Sequence, residues 1–335
     1  MNRLFLPEHA AVEQSLRGLA LAHPHLISLH EQPLYITARH RHPGRRVGLV
    51  SGGGSGHEPL HCGFVGQGML DAAVPGRVFA SPHNRQIYEA SRAAAGPDGV
   101  LHIVKNYTGD RINFGIAAER LRADGIAVRR VLVDDDIATD SAETATGRRG
   151  TAATVTVEKL LGAAADQGTR LDDLAALGAH IAAASRSIAV AARAQTAPFR
   201  GGEAFQLTDG TLEYGVGIHG ERAASTQADT GFEPLVDRMT QQVLAALPPD
   251  TARVLVLVGG LGATTLLELY AVYTQVCARL AEDGVDVAGR LVGTFVPALD
   301  MSGFSLSLTA MHDTWIDLWN SPTRTPAFPV TEFPR

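Results

Sequence analysis

Residues 47–59 read VGLVSGGGSGHEP, an apolar run that passes into a glycine-rich segment. The run Val47–Val50 is typical of a buried β-strand, and the glycines after it predict a turn at the strand's end. Glycines let backbone amides come close to a small polar ligand. The segment lacks the Gly-Lys-Ser/Thr of a P-loop and the full dinucleotide fingerprint. It therefore predicts either a ligand-binding loop that includes His57 or a tight turn with His57 at the surface.

Two more transitions from strand to loop follow along the chain. Residues 100–110 read VLHIVKNYTGD, residues 113–124 have a helical pattern, and residues 128–136 read VRRVLVDDD. Strands that alternate with helices predict βαβ units and a largely parallel sheet. Ligands of such sheets bind at loops beyond the carboxyl ends of the strands, and both the glycine-rich segment and the Lys105–Asp110 turn lie there.

The length of 335 residues favours two α/β domains, each with a mixed or largely parallel sheet flanked by helices. We predict a first domain over residues 1–190, with the glycine-rich segment and the Lys105–Asp110 turn. A second domain over residues 191–335 carries His219. The alanine-rich residues 151–193 have a helical pattern with one break, and we place the boundary late in this region.

Composition excludes several classes of function. The formal net charge is −6, which disfavours a nucleic-acid partner, and no stretch approaches the ~20 apolar residues of a membrane span. The segment Met1–Pro7 does not resemble a signal peptide. Two cysteines, Cys62 and Cys277, cannot form a disulfide framework, and the histidines show no regular metal-ligand spacing. We therefore expect a cytoplasmic protein without a metal site or a membrane anchor.

Charged residues after two of the predicted strands are candidates for chemistry. Lys105 and Asp110 flank a glycine turn, so they either face one cleft as donor and acceptor or form an ordinary solvated ion pair. The acidic run Asp134–Asp136 suggests magnesium, because hard cations prefer carboxylate oxygens. Side chains alternate along an extended chain, however, so all three cannot meet one ion, and we predict loop and helix-cap residues instead.

His219 lies between glycines in residues 215–221, GVGIHGE. A lone histidine is commonly a structural residue, but the neighbouring Glu221 could orient its imidazole for function. Residues 259–265, GGLGATT, open a predicted helix. They indicate either an anion site or close strand–helix packing, and we favour packing.

Taken together, several segments resemble the substrate-binding K subunits of dihydroxyacetone kinases. They follow the family order and extend over nearly the whole chain. The segments are Ser51–Pro59, Gly63–Leu70, Val104–Asp110, Val133–Ile137, Gly147–Gly150, Gly215–Glu221 and Leu299–Gly303.

The resemblance implies a role for each matching site residue. His219 matches the histidine whose ring nitrogen adds to the ketone carbon and forms a hemiaminal. Asp110 matches the base that hydrogen-bonds the terminal hydroxyl, and His57 matches the residue that shares its proton. The substrate's hydroxyls would be held by Gly54, Ser55, Gly56 and Lys105. The implied activity is phosphoryl transfer to an alcohol acceptor, as in a glycerone kinase.

The resemblance also implies partners. No nucleotide motif is present in the sequence, so ATP/ADP with Mg²⁺ is expected on a separate L-type subunit, and the family suggests a homodimer. One alternative is a subunit of an erythrulose-type tetrulose kinase. Another is a non-catalytic ketone sensor that co-regulates transcription, although a sensor needs His219 but no base. The presence of both His57 and Asp110 therefore favours catalysis.

The sequence departs from the family pattern at three places. Arg222–Ala224 stands where Pro-Gly is common, and residues 81–85 and 259–265 also differ. These departures affect the identity of the ketose and the partner surface, and none of them changes a residue with a predicted catalytic role.

Overall fold

The protein is described from a computed structural model that covers residues 4–7, 9–140, 147–198, 201–221 and 225–329. The departure at Arg222–Ala224 lies outside these residues. The chain forms two compact units, each assembled from separate stretches. The glycine-strand unit comprises Leu6–Val133, Thr154–Ala182 and Asp317–Arg335. The His219 unit comprises Met1–Phe5, Asp134–Ala153 and Ala183–Ile316. Each unit has a mixed six-stranded sheet with flanking helices, which confirms the predicted fold class.

The sheet of the glycine-strand unit has the order β1-β2-β4-β3-β5-β6. Its strands are β1 (Ile27–Glu31), β2 (Leu34–Ala38), β3 (Gly48–Ser55), β4 (Ala72–Val78), β5 (Val100–Lys105) and β6 (Val128–Val133). Strands β4, β3, β5 and β6 are mutually parallel, whereas β1 and β2 form an antiparallel edge. The helices are α1 (Ala11–Ala22), α2 (Asn84–Ala94), α3 (Thr108–Ala123), α4 (Ala153–Asp166) and α5 (Leu171–Ala183). The carboxyl ends of β3 and β5 therefore lie side by side.

Strand β3 is longer than the sequence predicts. The glycines do not form a turn after Val50, because the strand continues to pair with β4, with one register shift between Gly53 and Ser55, and ends at Ser55. A Cβ on Gly52 would lie 2.5 Å from the carbonyl oxygen of Val74, which is too close for any side chain. The glycines therefore serve the close approach of neighbouring backbones within the sheet.

The sheet of the His219 unit has the order β11-β10-β12-β7-β8-β9, and only β10 and β11 are parallel. Its strands are β7 (Ser185–Arg193), β8 (Thr211–Tyr214), β9 (Ser225–Ala228), β10 (Arg253–Gly260), β11 (Asp286–Gly293) and β12 (Ser302–Ala310). Helices α6 (Phe232–Ala245) and α7 (Leu266–Glu282) pack on it. Helix α8 (Asp313–Asn320) spans the division between the units. A Cβ on Gly262 would lie 1.9 Å from the carbonyl oxygen of Leu299, so this glycine is required for close packing before α7.

The units divide the chain differently from the predicted boundary at residue 190/191. That boundary falls inside β7, which belongs as a whole to the His219 unit. The prediction of helix up to residue 193 was wrong, because residues 185–193 pair with β12 along their length. Alanine favours a helix only weakly, and pairing in the sheet outweighs this preference.

The acidic run Asp134–Asp136 has the predicted loop and cap roles. The carboxylate of Asp135 accepts hydrogen bonds from the backbone amides of Thr151 (2.6 Å) and Ala153 (3.0 Å) at the start of α4. Asp136 accepts from the amide of Ala138 (3.0 Å) and so caps the short 3₁₀ helix at 137–139. Within the described ranges, no three His, Cys, Asp or Glu residues are grouped in a way that could hold a metal ion. None of the helices in that part of the chain has the length and apolar character needed to cross a membrane.

Candidate functional site

Lys105 is the last residue of β5 and is buried, with 1% of its surface exposed. Its Nζ lies beside the backbone of β3 at Gly53, where a Cβ would be only 2.3 Å away. The ammonium group therefore occupies a space between the adjacent parallel strands. This space exists only because residue 53 has no side chain. This requirement is independent of any flexibility of the glycine-rich segment.

The Gly53→Ala variant is expected to be less stable by about 1–3 kcal/mol, because the added methyl group must displace the ammonium of Lys105 from this buried space. Urea denaturation would measure the loss. Gly115→Ala is a matched control, because a Cβ on this glycine of α3 would meet no atom within 4 Å and alanine favours the helix. Equal stability of Gly53→Ala and wild type would contradict the proposed steric requirement.

Asp110 occupies the first turn of α3, where the helix dipole stabilises a negative charge. Only 2% of its surface is exposed, so the alternative of a solvated ion pair with Lys105 is excluded. Its Oδ2 lies 3.9 Å from Nζ of Lys105, and its Oδ1 has no hydrogen-bond partner among the described residues. A buried carboxylate oxygen of this kind can accept a hydrogen bond from a ligand hydroxyl.

His61 and Glu158 complete this buried cluster, and neither was predicted from the sequence. Nε2 of His61 lies 2.7 Å from Nζ of Lys105, and Nδ1 lies 2.6 Å from Oε1 of Glu158. When Lys105 is protonated, its ammonium donates to Nε2, so Nδ1 carries the ring proton and donates to Glu158. The hydroxyl of Ser51 lies 2.9 Å from the same Nδ1. The cluster thus links α4 to the ammonium group through one imidazole.

Burial dominates the protonation of these groups. It raises the pKa of Glu158 to about 8, against the opposing hydrogen bond of Ser51 and the charge of Lys105. It lowers the pKa of Lys105, although the charges of Asp110 and Glu158 oppose this shift. Burial and the charge of Lys105 also hold the pKa of His61 well below its ordinary value, so the imidazole is neutral.

The raised pKa of Glu158 predicts a pH-dependent stability. Between an ordinary pKa of 4.5 and the folded value of about 8, the folded chain binds more protons than the unfolded chain. The contribution of Glu158 to the stability of the fold is therefore present below about pH 4.5 and is lost as the pH rises through 8. Glu158→Gln removes this titration. The free energy of unfolding of the variant, minus that of the wild type, should therefore increase by on the order of 1–3 kcal/mol between pH 5 and pH 8.

Chemical denaturation at several pH values measures this difference. Glu119→Gln is the control, because Glu119 lies exposed on α3 and its loss should leave the wild-type pH dependence unchanged. A difference between Glu158→Gln and wild type that stays constant with pH would contradict the raised pKa.

Gly56 and His57 follow directly after β3, which ends at Ser55. His57 is 1% exposed and stacks on Phe79, with ring centroids 5.3 Å apart, so the surface turn proposed as an alternative is wrong. The hydroxyl of Ser55 donates to the carbonyl oxygen of Gly76 (2.8 Å), and the amide of Gly56 donates to the carboxylate of Glu58 (2.9 Å). These two groups, which the sequence analysis assigned to substrate, already have intramolecular partners.

Gly54 is constrained by packing. A Cβ at this position would lie 2.7 Å from the amide nitrogen of Ala80. The glycine-strand unit thus holds Gly54, Ser55, Gly56, His57, Lys105 and Asp110 around the carboxyl ends of β3 and β5. His219 belongs to the other unit.

His219 follows β8 in a short loop that Glu221 closes. The backbone amide of His219 donates to Oε2 of Glu221 (2.9 Å), and Nδ1 lies 2.9 Å from Oε1. A carboxylate only accepts, so Nδ1 of the neutral imidazole carries the proton and the lone pair remains on Nε2. This contact agrees with the predicted orienting role of Glu221. The arrangement gives a nitrogen nucleophile of fixed tautomer.

Glu221 is ionised throughout the physiological pH range. Burial raises its pKa, but the hydrogen bond and the electrostatic interaction with the His219 ring, together with the charge of Arg149, oppose burial and lower the pKa to about 2. The imidazole therefore faces a permanent negative charge across Nδ1.

Comparison with known proteins gives consistent results. A family model described as the Dak1 domain matches residues 17–327. The dihydroxyacetone-binding subunit DhaK of the PEP-dependent dihydroxyacetone kinase of Escherichia coli (strain K12) is 40% identical over 98% of this chain and 99% of its own length. The structure of the dihydroxyacetone kinase of C. freundii is similar with a TM-score of 0.90 and 34% identity, over 98% of this chain and 60% of that chain.

A third similar protein is the dihydroxyacetone kinase operon co-activator Dha-DhaQ, with a TM-score of 0.89 and 33% identity over 94% of this chain and 97% of that chain. The chain therefore belongs to the Dak1-domain family. This confirms the resemblance on which the residue roles depend, whereas the roles themselves stay predictions.

Proposed function

We propose that this chain is the ketone-binding subunit of a dihydroxyacetone kinase, a phosphotransferase that acts on an alcohol group. The observation that carries the proposal is the buried carboxylate of Asp110, whose Oδ2 lies 3.9 Å from the ammonium of Lys105. A binding protein has no need of such a base. The 40% identity to the E. coli dihydroxyacetone-binding subunit over almost the full length of both chains supports the substrate.

In this proposal His219 binds the ketone covalently. The lone pair of Nε2 forms a bond to the carbonyl carbon and the carbon–oxygen π bond breaks. The carbonyl oxygen takes a proton from water, and Nδ1 releases one to solvent by way of Glu221, so the charge balances. Dihydroxyacetone offers little apolar surface, and a reversible covalent bond supplies affinity that burial cannot provide. It also selects carbonyl compounds over glycerol.

Asp110 then acts as the base of phosphoryl transfer. The ketone's terminal hydroxyl oxygen forms a bond to phosphorus while the bond to the donor's leaving group breaks. The hydroxyl proton passes to Asp110, and His57 shares it. Lys105 stabilises the negative charge beside the hydroxyl, and Gly54, Ser55 and Gly56 border the substrate. Catalysis of this type depends mainly on positioning and on charge.

The phosphoryl donor belongs to a partner in this proposal. We place ATP/ADP with Mg²⁺ on a separate L-type subunit, and this chain covers only 60% of the C. freundii kinase. The E. coli relative is named a PEP-dependent kinase, so a phosphotransferase-system protein is an alternative source of phosphate. A homodimer and a cytoplasmic location remain predictions from the sequence.

A second candidate function is a non-catalytic ketone sensor. The observation that favours it is the 33% identity to the operon co-activator over 97% of that chain. A sensor would use His219 but would have no need of Asp110 as a base.

One assay distinguishes the two functions. The purified chain is combined with an L-type partner and either ATP or a phosphotransferase donor, and the phosphorylated product of dihydroxyacetone or erythrulose is measured. Turnover supports the kinase, and the ratio of the two rates identifies the ketose. Binding of ketone without turnover by any cognate partner would instead indicate the sensor.

A further inference from the structure

We propose that Arg149 is a positioning residue for His219, acting through Glu221 and the backbone of the loop at residues 215–221. The inference depends on the proposed function in one respect, namely that His219 binds the ketone. Arg149 belongs to the segment Gly147–Gly150, for which the proposed chemistry gives no role.

Contacts with Asp136 and with the backbone at Gly215 fix the guanidinium of Arg149. Its Nε and Nη2 lie 2.7 Å and 2.6 Å from Oδ2 of Asp136, and both side chains are largely buried. Nη2 also donates to the carbonyl oxygen of Gly215 (2.8 Å), at the start of the His219 loop. A planar, buried guanidinium held in this way has little freedom to rotate. Arg149 therefore ties the loop to the cap of the 3₁₀ helix at 137–139.

Gly217 shows how close Arg149 and Glu221 lie to the same point. A Cβ on Gly217 would lie 2.1 Å from Oε2 of Glu221 and 2.5 Å from Nη1 of Arg149. The amide of Gly217 also donates to the carbonyl oxygen of Glu221 (3.0 Å). The carboxylate and the guanidinium thus pack directly on the buried backbone at Gly217, and a side chain there would displace both.

The charge of Arg149 also affects the imidazole of His219, because it acts on the carboxylate of Glu221. Glu221 holds Nδ1 of His219 at 2.9 Å with one oxygen and the backbone amide of His219 with the other. The positive charge of Arg149 favours the ionised carboxylate, which burial alone would disfavour. Only the ionised form requires a proton on Nδ1, so Arg149 favours the tautomer with its lone pair on Nε2.

Arg148 provides a matched control in the same segment. It is the adjacent arginine, but it bonds Asp134 (3.0 Å) and Asp140 (3.2 Å), and its side chain is more exposed. Loss of Arg148 removes the same charge and a similar number of contacts without touching the carbonyl oxygen of Gly215.

The test measures binding of dihydroxyacetone to the isolated chain, by calorimetry and by the fraction of covalent adduct in intact mass. For Arg149→Gln we expect a Kd at least about tenfold higher, and a kcat with partner at saturating ketone within about threefold of wild type. Arg149→Lys keeps the positive charge but loses the planar set of N–H donors. The Kd of this variant should therefore lie between those of the wild type and Arg149→Gln. The Kd of Arg148→Gln should stay within about twofold of wild type.

A Kd of Arg149→Gln within about twofold of wild type, or an equal increase in Arg148→Gln, would overturn the inference. If Arg149→Gln does not fold, Asp136→Asn decides, because it releases the guanidinium from its anchor without removing Arg149. The same increase in Kd supports the inference and an unchanged Kd overturns it. Failure of the wild type to form any adduct would refute the ketone-binding role of His219 itself, which is a different outcome.

Discussion

Asp110→Asn should still bind dihydroxyacetone but phosphorylate it about 10²–10⁴-fold more slowly than the wild type, the range expected when a general base is removed. The amide has almost the shape of the carboxylate and retains an oxygen acceptor for the hydroxyl, but it cannot take up the proton. It also removes the anion 3.9 Å from the ammonium of Lys105. Initial rates at saturating ketone with the L-type partner measure the loss.

Asp124→Asn is the control for this experiment. Asp124 follows the last residue of α3, the same helix that carries Asp110 in its first turn, and it accepts a hydrogen bond from the hydroxyl of Tyr88. Its rate should stay within about twofold of wild type, as is usual for a surface substitution. Wild-type turnover by Asp110→Asn would show that another group is the base.

His219→Ala should abolish the covalent adduct. Intact mass of the wild type with dihydroxyacetone is expected to increase by the mass of one ketone, and the variant should show no increase. Without the bond, the Kd for the ketone should rise at least about 100-fold, which corresponds to about 2.7 kcal/mol. The preference for the ketone over glycerol should disappear at the same time. The remaining contacts are hydrogen bonds to hydroxyl groups, which both compounds have.

His312→Ala controls for loss of a histidine in the same unit. His312 packs on Trp315, with ring centroids 4.2 Å apart, and lies well outside the His219 loop in sequence. This variant should form the adduct as the wild type does. An unchanged Kd in His219→Ala would refute the hemiaminal.

The sequence predicts strands near residues 47–50, 100–104 and 128–133 and a helix near 113–124, but two segments were misread. Residues 52–55 read as a turn because glycine is rare in strands, although the neighbouring backbone of β4 leaves no room for a side chain at Gly52. Residues 185–193 read as helix because alanine is common there. Both errors have one cause. The conformation of each segment depends on its pairing with another strand, β4 or β12, and a local sequence pattern does not show this pairing.

The candidate site was predictable only in part. Lys105, Asp110 and His57 lie next to strand ends, where patterns point to function, and the family resemblance assigned their roles. Glu158 and His61 are 97 positions apart, and no local pattern joins them. One signal was present, because Glu158 and Lys159 are the only charged residues in the apolar stretch 152–165. A buried charge there requires a partner, although the sequence does not say which.

The discontinuous glycine-strand unit has a consequence for synthesis on the ribosome. All six strands of its sheet have been made by residue 133, yet the ammonium of Lys159 donates to the carbonyl oxygens of Leu318 and Ser321 (both 2.9 Å), and the amide of Ala327 donates to Gly63 (3.0 Å). Most of the His219 unit, Ala183–Ile316, is translated between these partners. The sheet of the glycine-strand unit must therefore wait for residues 317–329 before its packing is complete, and a nascent chain arrested before them would expose apolar surface to chaperones and proteases.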